Sequence, residues 1–247
     1  MKRIKHGQTD QDTTHVQFRV AGNRALFSDP VFRVGGERAS YMVPTEEALI
    51  GITSSIYWKP SIRWIIDKVC VLNRIAMESV SVKPRNFING WNVSGKQRAK
   101  EASSKPLNTL SSFAYLQEPA YNVYAHFEFS KDPLYANDHN VLKHYNMFAQ
   151  SLRHGGRFDV FLGTRECPAY VTDIQEDEES YYKEFKDPMD LGFMFNRFVY
   201  PTYPDNLISD APIGKTIMHV VMNQGDIDFE ELRDSGHART DYFSERK

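Results

Sequence analysis

Residues 38–73, RASYMVPTEEALIGITSSIYWKPSIRWIIDKVCVLN, decide the fold. They divide into a loop, a helix, a short aromatic and basic turn, and a strand. Thr45 is placed to cap the helix, because its hydroxyl can accept one of the N–H groups that a first turn leaves without a partner. Glu46 and Glu47 sit favourably at the positive end. Leu49, Ile52 and Ile56 fall on one side at helical spacing, so that side is expected to face a sheet. From Tyr57 to Trp64 aromatics are mixed with cations. Trp58 and Trp64 are expected to pack in the core, whereas Lys59 and Arg63, whose stems carry charge beyond an apolar layer, are candidates for phosphate contact. Ile62 to Leu72 supplies a strand, and the chain returns around Ile75 to Val82.

Upstream, Val16, Phe18 and Val20 alternate with polar residues and predict a half-buried strand over His15 to Gly22. The next stretch carries Asp29-Pro30 and Gly35-Gly36 and must bend. Its cations Arg24, Arg33 and Arg38 can position phosphates. Downstream, residues 83–112 hold Lys83, Arg85, Lys96, Arg98, Lys100 and Lys105 against a single acid, Glu101. A protruding hairpin there would bring positive charge to a nucleic-acid backbone.

Ala114 to Phe129 is extended in character. Val141, Tyr145, Phe148 and Leu152 then recur at three- and four-residue spacing and predict a second helix. Lys143 and His144 are neighbours on that helix and therefore point in different directions. Gly155-Gly156 is suited to end it. A strand follows, then a further one over Ala169 to Ile174, expected in a smaller lobe. The acidic stretch from Gln175 to Pro188 is expected to be a solvated excursion. Strands are expected again near Asp190 to Pro201 and Ile217 to Met222.

Composition narrows the function classes. The 247 residues, 41% hydrophobic and 25% charged, suit an ordinary soluble protein with a sizeable core. No apolar run is long enough to span a membrane, and the polar start has no signal-like segment, so a cytoplasmic location without membrane contact is expected. The net charge of −2 conceals an asymmetry. Through Val123 there are 17 Lys/Arg against 10 Asp/Glu, a net +7; the remainder, with 13 against 22, carries −9. A basic half can present a surface to a polyanion. Cys70 and Cys167 are isolated, the eight histidines show no local metal-ligand spacing, and no lysine-bearing phosphate loop is present, so neither a metal nor another cofactor is expected.

The strings YMVPTEEA from Tyr41, IYWKPSIRW from Ile56, VLN from Val71, AHFEF from Ala125, KHYNMF from Lys143, FLGTRE from Phe161 and DLGFM from Asp190 carry a resemblance. In this order, over roughly residues 14–230, the chain resembles the CRISPR-associated endoribonuclease subunit of type I-C surveillance complexes. The resemblance implies an α+β chain. A ferredoxin-like RNA-recognition domain would span 14–163 with the basic insertion at 83–112, a smaller β-rich lobe 164–232, and 1–13 and 233–247 would be peripheral. It further implies metal-independent cleavage of precursor CRISPR RNA at repeat hairpins and retention of the 5′ handle of the mature RNA. The partners would be other type I-C subunits and the DNA flanking the target. A noncatalytic handle-binding subunit is the alternative.

Tyr41 matches the family's catalytic tyrosine by its place before Met-Val-Pro-Thr. The family's lysine and histidine have two placements here. One is Lys143 and His144; the other is Tyr115 to Pro119, where Gln117 and Glu118 would stand in their stead. Near the family's next turn this chain has Arg157 and Asp159. Arg157 and Arg165 complete the candidate RNA contacts.

Overall fold

The computed structural model describes residues 14–30, 37–82, 111–175, 177–199, 214–234 and 238–242. Strand β1 (His15–Gly22) turns Val16, Phe18 and Val20 into the core. Helix α1 (Glu46–Ile56) begins where expected, with the Thr45 hydroxyl accepting from Ala48 N at 3.2 Å. It leads into β4 (Ile62–Val71). After β7 (Ala120–Phe129), α2 (Val141–Arg153) buries Tyr145, Phe148, Ala149 and Leu152, and Asn140 caps its start. The succession strand, helix, strand, strand, helix, strand closes with β9 (Pro168–Thr172).

These strands form one antiparallel sheet in the order β4-β7-β1-β9, extended by β12 (Asp226–Asp228) beside β4 and β8 (Val160–Phe161) beside β9. Core side chains from β1, β4, β7 and both helices meet on one face. Trp64 packs against Phe148 and Phe127 at ring separations of 5.2 and 5.6 Å, and Phe18 reaches Phe148 at 6.0 Å. Each such buried ring contributes about 1.5–3 kcal/mol relative to exposure.

A second sheet lies beside the first. Its centre is β6 (Ser111–Gln117), which pairs with β5 (Met77–Val82), β2 (Arg24–Ala25) and, in parallel, β3 (Arg38–Ala39). A third joins β10 (Met189–Val199), β11 (Gly214–Met222) and β13 (Ala238–Tyr242). A short α3 (Phe229–Asp234) buries Phe229 and Leu232. Among the described residues no helix is long and apolar enough to cross a membrane.

Three expectations change. The boundary at 163/164 does not hold as a division, because β9 and β12, both from the expected lobe, lie in the main sheet; what stands apart is the sheet of β10, β11 and β13. Trp58 is 49% exposed, while Trp64, in phase with Ile62 and Ile66 on β4, is buried with its indole N–H on Tyr57 O at 2.7 Å. The acidic excursion is anchored: Arg19 grips Glu178 through two bonds of 2.6 and 2.8 Å, and the buried Tyr182 hydroxyl accepts from Ile75 N at 2.7 Å.

Gly163 is the tightest joint between the sheets. Its φ is +92°, and a Cβ there would lie 2.0 Å from Leu26 O. Gly163→Ala is expected to lower stability by about 1–3 kcal/mol through overpacking and left-handed strain, seen as an earlier urea midpoint.

Candidate nucleic-acid interface

The backbone places Tyr41 through a short antiparallel match between residues 27–29 and 39–41. Ser28 bridges Ser40, Asp29 N donates to Ala39 O at 2.9 Å, and Tyr41 N donates to Phe27 O at 2.8 Å. The buried Ser40 hydroxyl accepts from Phe27 N at 3.0 Å and donates to Tyr41 O at 2.8 Å, so it locks both strands. Tyr41 is half-buried. Its phenol oxygen accepts from Phe195 N on β10 at 3.3 Å, and its proton is shared with Asp29. Burial, then the nearby Asp29 carboxylate, raise its pKa above the ordinary 10. At neutral pH it is therefore a proton donor or an orienting group, not a base.

A small cleft of about 160 Å³ opens beside this pair, lined by Ser28, Asp29, Arg38 and Thr164. Arg38 lies over the Phe113 ring at 5.3 Å and faces Glu166 at 3.9 Å. Arg24 lies over Tyr115 at 5.7 Å and pairs with Glu78. Phe113 and Tyr115 are two residues apart on β6 and so share a face, giving a row of two arginines on two rings. Their alternation was visible in the sequence, but only the pairing of β2 and β3 with β6 shows that arginines cover them. Asp29 had no sequence signal.

The turn that joins β6 to β7 closes the same end. Glu118 has φ +45° and donates its N–H to Asn23 O at 2.9 Å, and Asn73 donates to Glu118 O at 2.7 Å. Met42, next to Tyr41, lines a small cavity together with Gln117, Asn73 and Arg74. The segment beside Tyr41 is thus the one that carries Gln117 and Glu118.

Lys143 and His144 lie elsewhere. The His144 side chain is 0% exposed; its Nδ1 faces the Tyr57 hydroxyl at 2.9 Å and its Nε2 faces Asp138 O at 2.8 Å. Tyr57 caps the far end of α1, whereas Tyr41 precedes its start, so the 11-residue helix separates them by roughly 16 Å. The expected grouping of Tyr41 with Lys143 and His144 around one phosphate does not form. His144 serves the core, with burial lowering its pKa, and Tyr57 is pushed up to about 12, chiefly by burial.

Lys143 instead belongs to a polar knot on Asp138. That carboxylate takes Lys143 Nζ, the Ser61 hydroxyl at 2.7 Å and Lys59 Nζ at 3.8 Å. The Lys143 bond, then Ser61, hold its pKa at about 2, below the ordinary 3.8. A depressed folded value means that the stabilisation is complete above the unfolded value and is lost as pH falls through the folded one. Asp138→Asn is accordingly expected to lower the thermal midpoint at neutral pH, with the difference from wild type vanishing between pH 3.8 and about 2.

Of the other expected contacts, Arg63 pairs across strands with Glu128 at 2.8 Å, and Arg157 lies over the exposed Phe158 at 5.7 Å. Arg165 is exposed beside Glu166. Arg33, Lys83, Arg85, Lys96, Arg98 and Lys105 lie outside the described residues. Several described cations thus already have carboxylate partners, which a polyanion would have to replace. One grouping with metal-ligand chemistry, His15, Asp67 and His126, comes together on the main sheet.

Comparison with known proteins gives a consistent picture. The Cas_Cas5d model, described as CRISPR-associated protein (Cas_Cas5), matches residues 15–230. The chain is similar to a CRISPR pre-crRNA endoribonuclease Cas5d from Mannheimia succiniciproducens, 32% identical over 193 residues that make up 73% of this chain and 83% of the relative. It is also similar to a Cas5d of the same description from Thermus thermophilus, 31% identical over 160 residues, 64% of this chain and 63% of the relative. Among solved structures, a CRISPR-associated protein aligns at 32% identity with a TM-score of 0.67, covering 91% of this chain and 96% of the other. A functionally uncharacterized protein from Streptococcus mutans does so at 30% identity, with the same TM-score and the same coverage of both chains.

Proposed function

The chain belongs to the Cas5d family of CRISPR-associated proteins, and from that premise we propose that it binds the repeat of precursor CRISPR RNA at the Tyr41 cleft and cleaves it there. The observation that carries this reading is the protonated Tyr41 phenol on the Asp29 carboxylate, at the edge of a row of arginines on aromatic rings. The rings back the guanidinium planes, on which unpaired bases can stack and which also take phosphates.

The chemistry needs no metal. Asp29 takes the proton of a ribose 2′-hydroxyl, whose oxygen attacks the adjacent phosphorus; Arg38 stabilises the charge on the phosphate oxygens; Tyr41 gives its proton to the departing 5′-oxygen. The proton on Asp29 then returns to Tyr41 along the bond between them. The products are a 2′,3′-cyclic phosphate and a 5′-hydroxyl. Lys143 and His144 take no part in this scheme.

The strand and helix order, with the antiparallel sheet order β4-β7-β1-β9, supports a ferredoxin-like RNA-recognition domain, and the sheet of β10, β11 and β13 supports a smaller lobe. Within a type I-C surveillance complex in the cytoplasm, the subunit would keep the 5′ handle of the mature RNA, meet other protein subunits and lie near the target DNA flank. A second reading, handle binding without cleavage, is favoured by one observation: Gln117 and Glu118, neither cationic nor imidazole, occupy the segment next to Tyr41.

Repeat RNA binding measured across a salt series tests the interface common to both readings. Affinity is expected to fall with salt, and Arg24→Ala/Arg38→Ala to flatten the slope by about 1.4, near 0.7 for each single-strand phosphate that no longer has its arginine. A salt-independent affinity, or a slope unmoved by the double substitution, would rule out this surface.

A further inference from the structure

We infer that His15, Asp67 and His126 form a binding site for a divalent transition metal of the zinc class on the open face of the main sheet. The ligand atoms of the three side chains all lie within 4.8 Å of one another. No spacing in the sequence announces the set, since its members come from three strands.

Register brings them together. His15 is directly opposite His126 in the antiparallel pair of β1 and β7, and their rings stand 5.2 Å apart. On the other side of β7, Ile65 pairs with His126 and Ile66 with Ala125, but Lys68, not Asp67, pairs with Tyr124. Asp67 is therefore the extra residue of a β-bulge, a device that re-aims a side chain. The alternation of β4 changes phase at this point: Ile66 and Val69 are buried, while Asp67 and Lys68 both face outward. Lys68 turns to the Tyr124 ring at 4.9 Å and to Asp226 at 3.1 Å, leaving the Asp67 carboxylate on His126 Nδ1 at 2.6 Å.

The donor set decides the metal. Two imidazole nitrogens and one carboxylate oxygen suit zinc and its first-row neighbours, whereas magnesium and calcium favour all-oxygen shells. Bonds near 2.0–2.1 Å put tetrahedral ligands about 3.3 Å apart. The His126–Asp67 contact then opens by roughly 0.7 Å as the metal takes the place of the proton between them, and the third ligand closes in from within 4.8 Å. His15 is exposed, which leaves an approach route and a fourth position for water.

The site is structural in purpose. His15 opens β1, and none of the three ligands lines the cleft beside Tyr41. A metal here ties the first residue of β1 across β7 to β4 and does not enter cleavage.

Calorimetric titration of the tag-free, EDTA-treated full chain with Zn²⁺ near pH 8, paired with thermal melting, tests the assignment. One ion per chain and a raised melting temperature are expected for wild type. His126→Ala, His15→Ala and Asp67→Asn should each weaken binding by at least about 10-fold, no less than the loss of a group that only supports a ligand. His219→Ala, in a different His–Asp pair at 2.8 Å, should leave it unchanged. No saturable binding, or equal affinity in wild type and the His15→Ala/His126→Ala double variant, overturns the site. Because the readout involves no RNA, failure here leaves the cleavage reading intact, and the converse holds.

Discussion

Tyr41→Phe is expected to slow cleavage of repeat RNA by about 100-fold while changing RNA affinity by less than about 3-fold, as follows from losing one positioned proton donor. The phenol is the one atom group of Tyr41 that the scheme uses. Its oxygen accepts from Phe195 N at 3.3 Å and its proton is shared with Asp29, so the ring is already held in place before RNA arrives. Phe keeps the ring and its packing, while the transferable proton, the Asp29 link and the acceptor for Phe195 N are lost. Lys143→Ala, by contrast, should leave cleavage within about 3-fold, because its ammonium is committed to Asp138 at the other end of α1. Single-turnover cleavage with end-labelled RNA separates the two. Equal rates for wild type and Tyr41→Phe would remove the phenol from the chemistry.

The largest expected effect on stability comes from Glu46. Its carboxylate is 0% exposed, and it joins three parts of the chain. Asn196 of β10 donates to it at 2.7 Å, Arg233 of α3 at 2.7 Å, and Arg197 stands 3.7 Å away. Arg233 also donates to Ile66 O of β4 at 3.2 Å. As the first residue of α1, Glu46 additionally sits at the positive end of the helix. Glu46→Ala leaves the buried Asn196 without its acceptor and Arg233, 22% exposed, with Ile66 O alone, which costs about 2–4 kcal/mol. Glu46→Gln, which keeps an acceptor, should cost less. Urea midpoints with unchanged slopes give the comparison, and a shift no larger than the roughly 0.5 kcal/mol of an ordinary surface substitution would contradict this account of the joint.

These two residues illustrate how much the sequence discloses. Thr45, Glu46 and Glu47 marked the start of α1 because capping and helix-end charge are local effects. That Glu46 also binds β10 and α3, 150 and 187 residues away, is set by tertiary register and left no local trace. The same holds within β4. Period-two alternation marks Ile62, Trp64 and Ile66 as inward, and they are, but the bulge at Asp67 shifts the phase and has no compositional sign. Trp58, one residue past the cap of α1, follows neither the helical nor the strand period, and it lies half in solvent.

The candidate site was half legible. Tyr41, Arg24 and Arg38 stood out by motif and charge; Arg38 stands opposite Phe113 and Arg24 opposite Gln117, so the two arginines are spread along β6. Lys143 and His144 stood out equally, as the adjacent Lys-His pair of the motif. Yet the helical period that predicted α2 puts position 144 beside Tyr145 and Phe148 on the buried side, and Lys143 on the outer one. Periodicity alone thus argued against a shared catalytic role, and the Asp138 knot supplies each with a structural one.

The most direct test of the central claim is the end chemistry of the product. Purified chain incubated in EDTA with the repeat RNA of its own CRISPR array is expected to release a fragment ending in a 2′,3′-cyclic phosphate and another beginning with a 5′-hydroxyl, with Tyr41→Phe largely silent. RNA that is bound tightly yet stays intact would contradict cleavage and leave the handle-binding reading in its place.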